Sequence, residues 1–246
     1  MMNLDIKISQ LKTALSQIER EFSPAAFASS FGAEDMVLLD LIAREFRGIE
    51  VFTLNTGRLP KETVALMALS RARYSHPIQI FMPNNEAVLH YVNTLGANAF
   101  YESIENRKAC CHIRKVEPLG RALQNKKAWL TGLRREQAQS RANLAYQEAD
   151  VTHSLIKFNP LLEWTNADVW AYLRTRDVPY NALHDRGYPS IGCEPCTRAV
   201  KPDEDPRAGR WWWESEAGKK ECGLHVADTN ASIIPKYSNI SVKVTT

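Results

Sequence analysis

Leu4, Ile8, Leu11, Leu15, Ile18 and Phe22 recur at helical spacing, so the chain is expected to open with an amphipathic helix. The pattern then changes. AAFAS (Ala25 to Ser29), IEVFTL (Ile49 to Leu54), IQIFM (Ile78 to Met82), AWLTG (Ala128 to Gly132) and LIKFNP (Leu155 to Pro160) are short apolar runs suited to buried strands. Helical stretches lie between most of them, EDMVLLDLIAREF, PKETVALMALSRARY and NNEAVLHYVNTL. Strands alternating with helices predict an α/β fold, a parallel sheet covered on both faces. Thr165 with Asp168 reads as a capping box opening one more helix, NADVWAYLRTR. No internal repeat or low-complexity linker interrupts this order. After Cys196 the chain turns polar and proline-containing at KPDEDPRAG, and its final stretch shows neither period. The expected organisation is one α/β unit over residues 1–200 and a mobile C-terminal tail over 201–246.

Composition narrows the classes. The 246 residues, 44% of them hydrophobic, can fill an ordinary core. No run approaches the ~18 apolar residues of a membrane span, and charges interrupt any signal-peptide core at the start, so a cytoplasmic protein without a membrane partner is expected. Five cysteines are too few for a disulfide scaffold, and their odd number points to metal binding or catalysis. A net charge of +3, 31 basic against 28 acidic residues, gives no support for nucleic-acid binding. Local clustering says more: Arg107, Lys108, Arg114 and Lys115 surround a CC pair, and Arg207 and Arg210 precede three tryptophans.

In an open parallel sheet, ligands gather at the carboxyl ends of strands, where helix N-termini attract anions. The first such loop, SSFGAED, offers Ser29, Ser30, Phe31 and Gly32. Its hydroxyls and backbone N–H groups suit a phosphate or sulfate, although an ordinary serine-capped turn reads the same way. NTGRLPKET could line the same crevice through Asn55, Thr56 and Gly57. TGLRREQAQSRAN supplies Arg134 and Arg141, whose guanidinium groups suit phosphate or sulfate oxygens unless they only face solvent. Cys110 and Cys111 pair with a distant C-x-x-C, Cys193 and Cys196. Four thiolates can hold one zinc or an iron–sulfur cluster. Adjacent cysteines diverge around a single small ion, whereas a cluster offers each a separate iron, and its negative charge is balanced by nearby Arg and Lys. Of Trp211, Trp212 and Trp213, at least one is expected to pin the base of the tail, since three exposed indoles are a liability. Cys222, in KKECGLH, is left alone. Lys219 and Lys220 favour its thiolate and Glu221 opposes it.

SFGAED, LNTG, KACC with HIRKVEPL, GLRREQ, SIGCEPCTR, RAGRWWWE and ECGLH occur here in the order found in the assimilatory adenylyl-sulfate (APS) reductases, and the chain resembles that family over roughly residues 20–225. The resemblance implies a Rossmann-like PP-loop fold of the adenine-nucleotide α-hydrolase-like type. It also implies a 4Fe-4S cluster held by Cys110, Cys111, Cys193 and Cys196, and reduction of APS to sulfite and AMP in sulfate assimilation and cysteine biosynthesis. SFGAED would be the modified PP-loop. Lys115, Arg207 and Arg210 match the anion-binding basic residues, Arg134 and Arg141 are further choices, and Cys222 matches the nucleophile. The implied partners are a thioredoxin or glutaredoxin-like donor and further copies of the chain in a homo-oligomer. One departure stands out: Asn55 replaces the aspartate of the usual LDTG. The competing readings are a 3′-phospho-APS (PAPS) reductase or dual specificity, a PP-loop tRNA-thiolating enzyme, and a non-enzymatic zinc module.

Overall fold

The structure is a computed structural model and describes residues 4–214. Six strands form one sheet in the order β3-β2-β1-β4-β6-β5: β1 (Ala25–Ala28), β2 (Ile49–Leu54), β3 (Ile78–Phe81), β4 (Ala128–Leu130), β5 (Gln147–Asp150) and β6 (Leu155–Phe158). All pairings are parallel except that of β5 with β6. Period-two alternation sends neighbouring side chains to opposite faces. Ala25, Phe27, Val51, Ala128 and Leu130 join the main core with α1 (Leu4–Glu21), α2 (Ala33–Glu45), α3 (Lys61–Arg73) and α7 (Asn166–Thr175). Ala26, Phe52 and Trp129 point the other way, against Leu119, Ala122 and Leu123 of α6 (Glu117–Leu123). Both faces are therefore buried, which is why these strands read as continuous apolar runs.

The predicted strands and helices are all present, with ends shifted by a residue or two. β1 and β4 stop before Ser29 and Thr131 because these residues leave the ladder after one more bond each, Ser29 N to Phe52 O at 2.9 Å and Thr131 N to Phe158 O at 3.0 Å. The capping box of α7 forms as expected: Thr165 Oγ1 accepts from Asp168 N, and Asp168 accepts from Thr165 N. Lys7 of α1 pairs with the same Asp168 carboxylate, which ties the first helix to the last; burial would raise this carboxyl, but Lys7 and the Thr165 donors together hold it below the usual range.

Two features were not anticipated. Residues 104–123 are helical throughout: α5 (Ile104–Cys111), capped by Ser103 accepting from Asn106 N, runs through a π turn (His112–Val116) into α6. It is preceded by α4 (Asn85–Leu95), whose cap Asn84 accepts from Ala87 N. The polar β5 closes one sheet edge. Its side chains are exposed or half-buried, so it needs no apolar face; Asp150 accepts from the Trp129 indole at 2.9 Å and Glu148 from Lys157 at 3.0 Å.

The strand order sets the site. β1, β2 and β3 step outward in one direction and β4 lies on the other side of β1, so the topological switch falls between β1 and β4. Their carboxyl-end loops diverge there.

Candidate functional site: a nucleotide-sized cavity beside four cysteines

A cavity of about 840 Å³ opens at the switch point. From the first loop, Ser29, Ser30 and Gly32 line it. The loop is folded around Asp35, whose carboxylate accepts from both the N–H and the hydroxyl of Ser30 at 2.6 Å. Burial outweighs these donors and pushes the Asp35 pKa up to about 6. Gly132, two residues past β4, is required by this packing, because a Cβ there would stand 2.2 Å from Asp35 Oδ1. Phe31 is not among the lining residues. It turns into the core, 1% exposed, at φ +59°. Gly32 caps α2 without a side-chain bond, so the first N–H groups of that helix are left to the cavity or to the loop itself.

Of the three candidates in the second loop one reaches the site, and Leu59 and Thr63 further along reach it too. Thr56 lines the cavity, whereas Asn55 and Gly57 do not. Asn55 Oδ1 instead accepts from Gly57 N at 3.1 Å, a turn that Gly57 completes at φ +71°. The turn needs only that oxygen acceptor, so replacing the usual aspartate with asparagine preserves it.

Cations arrive from three segments. Lys115 comes from the π turn, Arg134 and Arg141 from the loop after β4, and Arg207 and Arg210 from the segment following the C-x-x-C; all five line the cavity. Their engagements differ. Arg134 is 4% exposed, with its guanidinium donating to Glu34 at 2.7 and 3.0 Å, Glu136 at 3.0 Å and the Trp164 carbonyl at 3.1 Å. Two carboxylates thus already claim this cation. Arg141 donates to Gln137 Oε1. Arg210 is 6% exposed and gives Nη1 to Ser190 Oγ at 3.2 Å, while its buried Nε has no partner. A buried, unsatisfied guanidinium donor at a cavity wall is what an anionic ligand would complete.

All four predicted metal-ligating cysteines, Cys110, Cys111, Cys193 and Cys196, line a second, smaller cavity together with Arg58, Arg107, Arg114 and Lys115. Cys111, Cys193 and Cys196 are buried in an apolar cluster with Phe100 and Trp211. Burial pushes the Cys110 thiol up against the opposing effect of Arg114. It pushes Cys196 up to about 11, with Cys193 adding to the shift. Thr56 Oγ1 touches Cys193 Sγ at 3.2 Å, and Arg114 Nη1 donates to Thr56 O at 2.7 Å. Among the described residues, no group of three or more His, Cys, Asp or Glu side chains is arranged to hold a single metal ion.

The two cavities share a wall: Lys115, Cys193 and Trp211 line both. The tail's base is pinned by tryptophan, as expected. Trp211 is 1% exposed and Trp213 packs 4.4 Å from the Tyr101 ring, while Trp212 stays 39% exposed. Cys222 lies outside the described residues. Sequence reasoning assigned no role to Asp35, although it stood inside the quoted loop. It also missed His184, which lines the cavity with a buried, unpartnered Nε2 and a pKa lowered by burial. No local pattern marks His184.

These features define a class: an α/β protein with a nucleotide-sized, cation-walled cavity at its switch point and a four-thiol centre next to it. Residues 24–199 match the phosphoadenosine phosphosulfate reductase domain family, and the chain belongs to that family. An adenosine 5′-phosphosulfate reductase from Burkholderia cepacia is 55% identical over 91% of this chain and 89% of its own length. One from Allochromatium vinosum is 52% identical over 86% and 82%. Among solved structures, the phosphoadenylyl-sulfate reductase of Candida auris, a phosphate complex, superposes with a TM-score of 0.67 at 28% identity, covering 77% of this chain and 90% of that one. The fold is the adenine-nucleotide α-hydrolase-like one that the sequence motifs implied.

Proposed function

We propose that this protein reduces adenosine 5′-phosphosulfate to sulfite and AMP, with Cys222 as nucleophile and a thioredoxin-type dithiol as reductant. One observation carries the reading: a cavity large enough for a nucleotide, with a buried and unsatisfied Arg210 donor, meets through Cys193 a smaller cavity lined by four cysteines. Relatives at 52% and 55% identity bear the name of this activity, and they span most of the chain.

The cavity's residues divide the work. Lys115, Arg207 and Arg210 hold the phosphosulfate, offset the repulsion between thiolate and anionic substrate, and stabilise charge on the departing phosphate. Ser29, Ser30, Gly32 and Thr56 line the remainder of the site at the strand ends, where a nucleotide is held in folds of this kind. The Cys222 thiolate attacks the sulfur, the S–O bond to phosphate breaks, and AMP leaves with that oxygen. The enzyme keeps a cysteine S-sulfonate. A donor thiolate then attacks Cys222 Sγ, sulfite departs with the electron pair of the S–S bond, and the donor's second thiol resolves the mixed disulfide. The segment from residue 201, docked through residue 214, carries Cys222.

The residues present fit a 4Fe-4S cluster. Four thiols, three of them buried, line one cavity together with the cations Arg58, Arg107, Arg114 and Lys115, and such cations offset the negative charge of a cluster held by four thiolates. Cys110, Cys111, Cys193 and Cys196 would hold it. A cluster held there would supply negative charge beside Lys115. Such a centre and its chemistry suit a reducing cytoplasm.

The test is sulfite release by anaerobically purified protein with reduced thioredoxin, from APS and from PAPS in parallel. APS is expected to be the substrate turned over. In the absence of thioredoxin, APS should yield one AMP per site and a sulfonate mass on the peptide containing ECGLH, and Cys222→Ser should abolish both. An adduct on another cysteine, or turnover by the serine variant, rules out this mechanism.

A further inference from the structure

Arg207 and Arg210 sit on a segment with little regular structure, yet a cation that meets a developing charge must be held in place. Arg210 is held by an unusual route. Its backbone forms a single antiparallel bridge to Thr197, and Arg198 N donates to Gly209 O at 3.0 Å. Its guanidinium lies 4.8 Å from the centre of the Trp211 ring. A second guanidinium, that of Arg107, packs on the same ring at 4.6 Å. Two cations sharing one indole repel each other unless one is neutralised. Glu214 does this, accepting from Arg107 Nε at 2.5 Å and Nη2 at 3.0 Å, with only 2% and 7% of the two side chains exposed. The bidentate geometry fixes Arg107 in orientation as well as charge. Trp211 is committed to this place: it is 1% exposed, adopts φ +42°, and its backbone N–H donates to Cys196 O at 3.4 Å.

The contacts run in sequence from Glu214 to Arg107 to Trp211 to Arg210, and end on the unpartnered Arg210 Nε. Arg107 stands on α5, one turn before Cys110. The anion-facing cation is thus braced by the helix that carries two of the four cysteines.

We propose that Arg107 and Glu214 are positioning residues for Arg210, acting through the Trp211 ring to set the guanidinium that receives the substrate's anionic group. The inference rests on the reading of Arg210 as a substrate contact. Neither Arg107 nor Glu214 need touch substrate. Removing the Glu214 charge leaves Arg107 cationic beside Arg210, and the two guanidinium groups then compete for the ring.

The experiment measures the Kd for APS in the Cys222→Ser background, where no turnover occurs, together with iron content and thermal midpoint. Glu214→Gln, which keeps the shape and removes the charge, is expected to weaken binding about 5- to 50-fold, within the range of couplings between residues in contact. Arg107→Lys, which keeps the charge and loses the fork, should do the same. In an Arg210→Ala protein, Glu214→Gln should have no further effect, because the group it positions is gone. A purely structural pair would give losses that multiply in the double variant, and that result overturns the proposal. So does an unchanged Kd in Glu214→Gln while Arg210→Ala binds weakly. If Arg210→Ala alone binds APS normally, the assignment of Arg210 itself fails, and the brace with it.

Discussion

Gly192→Ala tests the placement of Arg210 without touching any charged group. An added Cβ would stand 2.3 Å from Arg210 Nη2, 2.6 Å from Cζ and 3.2 Å from Nε. Ordinary carbon contacts begin near 3.5 Å, so the guanidinium must retreat by about 1 Å. The residue in the way is the far end of a side chain, and the Gly192 N–H keeps its bond to Thr197 Oγ1 at 3.0 Å, so the backbone can stay as it is. Two quantities should change by different amounts. Loss of a charge-assisted contact to the substrate costs about 1.5 to 3 kcal/mol, or roughly 10- to 150-fold in kcat/KM. Loosening the stack on Trp211 costs about 0.5 to 2 kcal/mol of stability, which for a chain of this size lowers Tm by about 1 to 8 °C. Steady-state sulfite release, a thermal melt and iron analysis on one preparation separate the two. Wild-type kcat/KM in Gly192→Ala would refute the placement of Arg210 as a substrate contact. A loss that tracks loss of iron would move the cause to the adjacent Cys193.

Asp40→Ala should cost about 2 to 5 kcal/mol in urea unfolding, because its buried carboxylate accepts from Tyr74 at 2.8 Å, Tyr172 at 2.9 Å and Arg44 at 2.8 Å, and both phenols would be left without it; a loss below about 1 kcal/mol contradicts this. Asp35 is raised from 3.8 to about 6 by burial, so the native state binds the extra proton between those values and stability falls as pH rises through that window, by about 3 kcal/mol at most. Asp35→Asn should flatten this slope relative to wild type between pH 4 and 6, and parallel curves would show that the carboxyl does not titrate as its burial demands. Cys193→Ser or Cys196→Ser should lower iron below the ~4 atoms per chain expected of the anaerobic protein, and full iron retention would exclude that cysteine as a ligand.

The parts of this molecule that were legible in sequence are those whose stability comes from regular burial. β1, β2 and β4 send alternate residues into two cores, and α1 buries Ile8, Leu11, Leu15 and Ile18 on one stripe, so period alone reveals them. The helix through Cys110 and Cys111 escaped because it buries Arg107, Cys111 and Arg114 in place of an apolar stripe, and its start depends on a single serine cap. The site divides in the same way. Residue types marked the cysteines and cations, whereas their engagements depend on partners far away in the chain. Arg134 looks in sequence like a phosphate ligand, and only the fold brings Glu34, 100 positions earlier, onto its guanidinium. Arg210 looks like part of a loose polar segment, and only the fold gives it an indole, a second arginine and a carboxylate to stand on. Charge patterns therefore identify which groups can meet an anion, but which of them is available is decided by the carboxylates nearby. Arg134 is held by two, while Arg210 is kept beside one cation that Glu214 has neutralised, and its own Nε stays unsatisfied. By that criterion, substrate charge should be felt first at Arg210, and the energy of binding it should depend on Glu214, a residue with the same sign as the substrate.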